Sequence, residues 1–239
     1  MSAGMQSAAR RVVAVVPARA GSQGLPGKNL MRIGDHSLVG WAVRAARDAG
    51  IDDVVLTTDG ADLAAEGRRL GCTVVDRPAE LATSSSRTVD AVLHVITALR
   101  LPADTWVVLL QPTSPLRTGG DVRATLARHS AGDVRTTLTG CPVPHHPLKQ
   151  LLLDDDGSAR PVGTWPDLEA PRQLLPRAMR PNGAVYVSEA GVVAAAGSVV
   201  VAPLAVVEMP EWRSLDVDTA DDLTEARARA AGDPPAAGA

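Results

Sequence analysis

Val12-Val13-Ala14-Val15-Val16-Pro17-Ala18-Arg19-Ala20-Gly21-Ser22-Gln23-Gly24-Leu25-Pro26-Gly27-Lys28-Asn29 sets the reading of the chain. Val12–Val16 is apolar and rich in β-branched residues, without polar alternation, which predicts a strand buried on both faces of a sheet. It runs directly into a glycine-rich loop bracketed by Arg19 and Lys28. Arg10-Arg11 ahead of the run gives a superficial likeness to an export signal. Five apolar residues before Pro17 are too few for such a signal, however, and no export-type cleavage context follows.

Working outward, strand and helix patterns alternate. Leu38 to Ala49 has helical spacing and stops at Gly50; Val54–Thr57 reads as a strand, Ala61–Leu70 as a helix and Thr73–Val75 as a strand. Thr88–Leu99 is again helical and Trp106–Leu110 is a strongly apolar strand. This alternation predicts a parallel sheet with crossover helices. Gln111-Pro112-Thr113-Ser114-Pro115 interrupts it, because proline offers no donor to a ladder. Gly119–His129 resumes as a helix and Asp133–Thr139 as a strand. Gly183–Val187 and Val199–Val207 return to strand character, the latter equally suited to a central strand, and Asp221–Ala231 is a final helix. The expected organisation is a single domain over 10–231. An inserted lobe or arm occupies 141–181, and flexible ends occupy 1–9 and 232–239.

The composition sets the outer bounds. With 239 residues, 45% of them hydrophobic and 21% charged, the chain suffices for one substantial core carrying a smaller lobe. It has no Phe, one Tyr and four Trp, so Val, Leu and Ala must fill the interior. A net charge of −3 and the scarcity of aromatic platforms argue against a nucleic-acid partner. No stretch has the roughly 18 apolar residues of a membrane span. Cys72 and Cys141 make no disulfide framework, and Cys141 with His145 and His146 does not match a zinc spacing. A soluble protein of a reducing compartment is expected.

Two stretches carry chemistry. In the first, Gly21, Gly24 and Gly27 allow a tight turn whose N–H groups can converge on an anion, and Arg19 and Lys28 add fixed charge. The pattern is neither a Walker A loop nor a G-x-G-x-x-G loop. A flexible surface loop is the plain alternative; the flanking cations behind a buried first strand favour polyphosphate. In the second, Asp216-Val217-Asp218 would present both carboxylates on one side of an extended segment, an arrangement suited to Mg²⁺. By the residues themselves, an acidic helix cap at Asp218-Thr-Ala-Asp221 is the plainer reading. Arg77, Gln111, Lys149, Arg172, Arg177, Arg180 and Asn182 lie between these stretches and individually read as surface groups. His145-His146 reads as structural, and Ser84-Ser85-Ser86 lacks a nucleophile context.

Taken together, several motifs resemble one family. Pro17 to Asn29, Arg77-Pro-Ala-Glu-Leu-Ala82 and Leu110-Gln-Pro-Thr-Ser-Pro-Leu-Arg-Thr118 look like nucleotidyltransferases that make CMP-activated acidic sugars. His145-His-Pro-Leu-Lys149, Asp167-Leu-Glu-Ala-Pro-Arg-Gln173, Arg180-Pro-Asn-Gly-Ala-Val-Tyr186 and Leu215-Asp-Val-Asp-Thr219 narrow the likeness to bacterial CMP-sialic acid synthetases, the N-acylneuraminate cytidylyltransferases. The resemblance implies a Rossmann-like α/β fold with a mostly parallel sheet and a small inserted dimerisation lobe. It also implies a cytoplasmic homodimer that joins CTP to the anomeric hydroxyl of a nine-carbon 2-keto sugar acid, with N-acetylneuraminate the expected acceptor. Carried over by motif, Arg19, Ser22, Lys28, Asn29, Arg77, Ser85 and Thr88 are nucleotide contacts. Gln111, Lys149, Arg172 and Tyr186 are sugar-side contacts, and Asp216 and Asp218 are Mg²⁺ ligands. Arg19, Lys28, Asp216 and Asp218 form the catalytic set. Two departures stand out: Gln23 where many members carry Lys, and Val199-Val200 where relatives often place an aromatic pair. The alternatives are a cytidylyltransferase for another acid (Kdo, a legionaminic-type sugar or a phosphonate) and a catalytically silent nucleotide-binding assembly protein.

Overall fold

Each residue of the first strand chooses a side. In the computed structural model, which describes residues 10–21 and 24–232, β1 spans Val12–Pro17. Val13 and Val15 enter one hydrophobic core, Ala14 and Val16 the other. This is the period-two alternation of a strand, hidden in the sequence because both faces are covered. Ser22, Gln23 and the predicted flexible ends, apart from Gly232, lie outside the described residues.

The remaining elements follow in order. β2 (Arg32–Ile33) and β3 (His36–Ser37) form a short hairpin leading into α1 (Leu38–Asp48), whose N-terminus is capped by Ser37 Oγ accepting from the Gly40 N–H at 3.0 Å. Next come β4 (Val54–Thr58), α2 (Ala61–Arg69), β5 (Thr73–Asp76), α3 (Thr88–Ala98), β6 (Trp106–Leu109) and α4 (Gly119–His129). β7 is Thr136–Pro142, and the excursion that follows holds β8 (Leu151–Leu153), β9 (Ala159–Pro161) and α5 (Trp165–Glu169). β10 (Met179–Glu189), α6 (Ala190–Ala196), β11 (Leu204–Glu208) and α7 (Ala220–Ala230) complete the chain.

The central sheet has seven strands in the order β11-β7-β10-β6-β1-β4-β5. β1 pairs parallel with β4 and β6, β4 with β5, and β7 with β11, while β10 runs antiparallel to both its neighbours. One face is covered by α3 and α6, the other chiefly by α1, α2 and α4. A third, smaller core of Ile33, Leu38, Val217, Leu223 and Ala226 ties α7 to the hairpin and the start of α1. The mostly parallel α/β sheet is the architecture expected.

Several boundaries differ, each for a physical reason. The predicted strand over Val199–Val207 shrinks to Leu204–Glu208 and lies at the sheet edge, not its centre. Pro203 has no N–H, and the Val201 N–H goes to Thr136 Oγ1 at 2.9 Å instead of to a ladder. The strand expected over Asp133–Thr139 begins later and runs to Pro142. The alanine-rich α6 carries no strong periodicity and escaped the sequence reading. Cys141–Pro142 and Met179–Pro181 belong to the sheet, so the excursion proper covers 143–178, and it holds a hairpin and a helical turn where little regular pattern was legible. Both cysteines are buried and free, and no helix among the described residues is long and apolar enough to cross a membrane.

Candidate active site

Where strand order reverses between β1 and β6, the loops leaving their carboxyl ends diverge and leave a crevice, the usual ligand position in such sheets. A cleft of about 390 Å³ opens there, lined in part by Arg19, Gly24, Lys28, Asn29, Arg77, Thr88, Gln111 and Asp218. Ser86, Arg87, Pro112 and Thr113 complete the wall with Pro17. Four cations thus face one carboxylate, which makes the cleft an anion site.

The loop after β1 is shaped by close contacts. A Cβ on Gly24 would lie 2.5 Å from the Asp218 carbonyl oxygen, so only glycine lets the loop reach the acidic segment. Asn29 is buried and donates to the Arg19 carbonyl at 3.1 Å, closing the two ends of the loop. Arg19 crosses the cleft to the Thr83 carbonyl at 2.7 Å. Lys28 is held twice, to Asp218 Oδ1 at 2.7 Å and to the Val217 carbonyl at 2.9 Å.

Arg77 is 9% exposed, and its side-chain hydrogen bonds go to Thr57, the Nη2 donating to the carbonyl at 2.7 Å. Burial lowers its pKa, with Asp59 opposing and Arg19 adding to the effect. Among the described residues it has no ion-pair partner, whereas Arg87 is matched by Asp90 at 2.8 Å. A buried guanidinium without a carboxylate is costly unless an anion serves it.

Asp216 and Asp218 lie in an extended segment outside any strand, both exposed, on either side of the wholly buried Val217. Val217 anchors the segment through the small third core and through its N–H to the Thr113 carbonyl at 2.8 Å. Burying that side chain contributes about 1.5 kcal/mol. The cap reading fails for Asp218: Thr219 caps α7, and Asp222 accepts its N–H at 2.7 Å in a capping box. Both carboxylates of the pair are therefore left out of the capping box. Asp216 is accessible, yet enough protein surrounds it that burial raises its pKa, aided by Asp218 and Asp222 and opposed by Thr113 and Lys28. Two carboxylates whose charges oppose each other suit a divalent cation that takes its remaining ligands from water and phosphate. Among the described residues no cluster of three or more His, Cys, Asp or Glu side chains that could hold a metal ion exists.

The other expected residues are divided. Tyr186, on β10, is half-buried, and both burial and the Asp216 charge raise its pKa. Ser85 is not in the cleft wall; its neighbour Ser86 is, hydrogen-bonded with Thr83 Oγ1 at 2.8 Å. Lys149 and Arg172 do not line the cleft either. They share a second cavity of about 360 Å³ with His145, His146 and Gln150, within the excursion. There Lys149 donates to the Leu168 carbonyl at 2.7 Å and to that of Ala170, and Arg172 to that of Pro144. His146 is structural, with Nδ1 accepting from Leu148 at 3.2 Å and Nε2 against the Pro176 carbonyl at 2.8 Å. Ser86 and Arg87 fall in the Ser85–Thr88 region that the resemblance assigns to cytidine, whereas Pro112 and Thr113 went unassigned in the sequence, although the proline-interrupted stretch after β6 signalled a special loop.

The sequence is 29% identical over 214 residues to the N-acylneuraminate cytidylyltransferase of Streptococcus agalactiae serotype V, covering 88% of this chain and 51% of the relative. The chain thus spans about half the length of that protein. It is likewise 29% identical to the CMP-N,N'-diacetyllegionaminic acid synthase of Legionella pneumophila, over 75% of this chain and 78% of the relative. The structure superposes on CMP:2-keto-3-deoxy-manno-octonic acid synthetase, solved with CTP, with a TM-score of 0.69 at 18% identity, over 93% of this chain and 99% of the other. That likeness establishes the fold. The family model for cytidylyltransferases matches residues 13–141, from the first strand into β7, and the chain belongs to the cytidylyltransferase family.

Proposed function

We propose that the protein transfers CMP from CTP to the anomeric hydroxyl of a sialic-acid-type 2-keto sugar acid, N-acetylneuraminate first among them, releasing pyrophosphate. The observation that carries this reading is the meeting, at one crevice, of the cationic loop after β1, the buried Arg77 and Asp218, with Asp216 two residues away along the same segment outside the cleft wall.

The residues divide the work by charge. Arg19 and Lys28 face the leaving pyrophosphate, where negative charge grows, and a well-placed donor there is worth about 3–4 kcal/mol. Arg77, with no carboxylate partner among the described residues, holds an anionic or carbonyl oxygen of the nucleotide, and Asn29 and Thr88 complete that wall. Ser85 serves the nucleotide only through its loop in this reading, and Ser22, outside the described residues, is kept as a nucleotide contact by motif alone. Gln111 and Tyr186 border the acceptor side. Lys149 and Arg172 on the excursion supply cations for its carboxylate, Arg172 best in bidentate fashion. Asp216 and Asp218 would hold Mg²⁺, which when bound neutralises phosphate charge and eases loss of the hydroxyl proton. The anomeric oxygen bonds to the α-phosphorus as the bond to pyrophosphate breaks, and the hydroxyl proton leaves to solvent.

The excursion supports a homodimer. Leu151, Leu152, Leu153, Val162, Trp165 and Leu174 are all exposed on it, more apolar surface than a small lobe keeps in water. A cytoplasmic location accompanies CTP as substrate.

A legionaminic-type acceptor is the second reading, favoured by the relative matched over most of its own length. Pyrophosphate release from CTP and Mg²⁺, with acidic sugars offered one at a time, tests both. Release requiring N-acetylneuraminate and abolished by chelation supports the first, release with a diacetylated nine-carbon relative alone supports the second, and none with any acid overturns the function.

A further inference from the structure

Behind the cleft wall lies a cation that the reaction scheme above does not use. Arg117 is 3% exposed, on the loop between β6 and α4. Its Nη1 donates to two carbonyls, that of Gln111 at 3.0 Å and that of Ala184 at 2.7 Å. Nε and Nη2 are buried without a partner, as is Ser114 Oγ nearby in sequence. Burial brings its pKa down to about 9, with Asp121 only partly opposing. A buried guanidinium so poorly compensated is expensive for a fold to retain.

The two carbonyls identify what it holds. Gln111 opens the loop that lines the cleft, and its own carbonyl also accepts from the Ser114 N–H at 3.3 Å. Ala184 lies where β10 breaks register between Pro181 and Tyr186, so its carbonyl lies outside the recorded ladder. The same break brings Gly183, at φ +75°, beneath the Gln111 amide: a Cβ there would lie 2.7 Å from Gln111 Oε1. Arg117 fixes the main chain of Gln111 relative to β10, and Gly183 makes room for its side chain. Both contacts act on the acceptor side of the crevice, while the residues facing the triphosphate hang from other loops.

We infer that Arg117 is a positioning residue that braces the Gln111 loop against the β10 break, and so sets affinity for the sugar-acid acceptor rather than for CTP. The inference rests on the proposed function. Its test compares Arg117→Met, Arg117→Lys and Gly183→Ala with the wild type, using CTP affinity by calorimetry and acceptor KM and kcat at saturating CTP. The expected pattern is an acceptor KM raised about tenfold or more in Arg117→Met and Gly183→Ala, with CTP affinity within about twofold. Lys, which keeps the charge but not the fork, should recover part of the loss. If Arg117→Met does not fold, the other two variants decide. CTP affinity and acceptor KM worsening together, or neither changing, overturns the inference alone. A wild type inactive with every acid overturns the proposed function and the inference with it.

Discussion

Arg77 and Arg172 are assigned to the same reaction and sit in opposite surroundings. Arg77 follows β5 at the rim of a seven-stranded sheet, buried, its guanidinium aligned by the Thr57 carbonyl. Arg172 is exposed on an excursion whose largest apolar side chains also face water, with Leu153 at 78% and Leu174 at 74% exposure. On the sheet side, side chains are held by packing that the chain completes alone. On the excursion, Lys149 and Arg172 turn their donors to the excursion's own carbonyls, and they must exchange those bonds to meet a substrate. In the proposed scheme the nucleotide half of the site is organised by the chain's own packing, whereas Lys149 and Arg172 on the excursion still commit their donors to local carbonyls.

The comparison can be broken most severely at the acidic pair, which belongs to the built half. Asp216→Asn should fold normally and lose about 10³-fold in turnover, read as pyrophosphate release under saturating Mg²⁺; full activity would remove the metal assignment. Asp218→Asn should lose as much and also free Lys28 from its 2.7 Å bond. Arg77→Met should weaken CTP binding by tenfold to about a hundredfold, the range for a hydrogen bond to a charged group, in calorimetry without any acceptor. If only acceptor binding suffered, the division of labour would be reversed.

A smaller effect tests how rigidly the built half is held. Arg213, just before the acidic segment, forks onto Asp121 with one contact at 3.0 Å, and Asp121 also caps α4 with Thr118. Burial pushes the Asp121 carboxyl up, but hydrogen bonds from Arg213 and Thr118 outweigh it and leave the pKa below 3.8. A lowered folded-state pKa adds stability that is present above 3.8 and lost as pH falls through the folded value. Asp121→Asn should therefore cost about 2 kcal/mol at neutral pH, with the gap between the two melting curves closing below pH 3.8. A gap constant with pH would show that packing, not charge, holds the segment.

The excursion should give the mildest change. Leu153→Asp, at a solvent-facing apolar position, should shift the protein toward monomer in sedimentation. It should raise acceptor KM by a few-fold, about 1 kcal/mol, and leave CTP affinity alone. No change in mass or in KM would mean that this surface is not shared with a second copy.

Much of the sheet was legible because β-branched runs and helical spacing are local signals. Val12–Val16, Val54–Thr57, Thr73–Val75 and Gly119–His129 each carry their own pattern, and the observed elements begin on the same residues. The cationic loop was legible too, since glycine and flanking charge need no partner to be noticed. Val199–Val207 misled because an apolar run says nothing about where its N–H groups will go, and Thr136 Oγ1 claimed one of them. By the residues alone the cap at α7 reads as the acidic stretch from Asp218; only the fold shows Thr219 with Asp222, leaving Asp218 to Lys28.

By itself, then, the sequence determined the α/β class, the anion-binding character of the first loop and the family likeness, all properties of contiguous residues. The tertiary structure alone decided that Arg77 is a buried cation with no ion-pair partner among the described residues, that Arg117 braces Gln111 to β10, and that Lys149 and Arg172 stand apart from the cleft. These depend on residues tens of positions apart in sequence, and on which groups lose water when the sheet closes. That is a matter of long-range packing and desolvation, which no local pattern encodes.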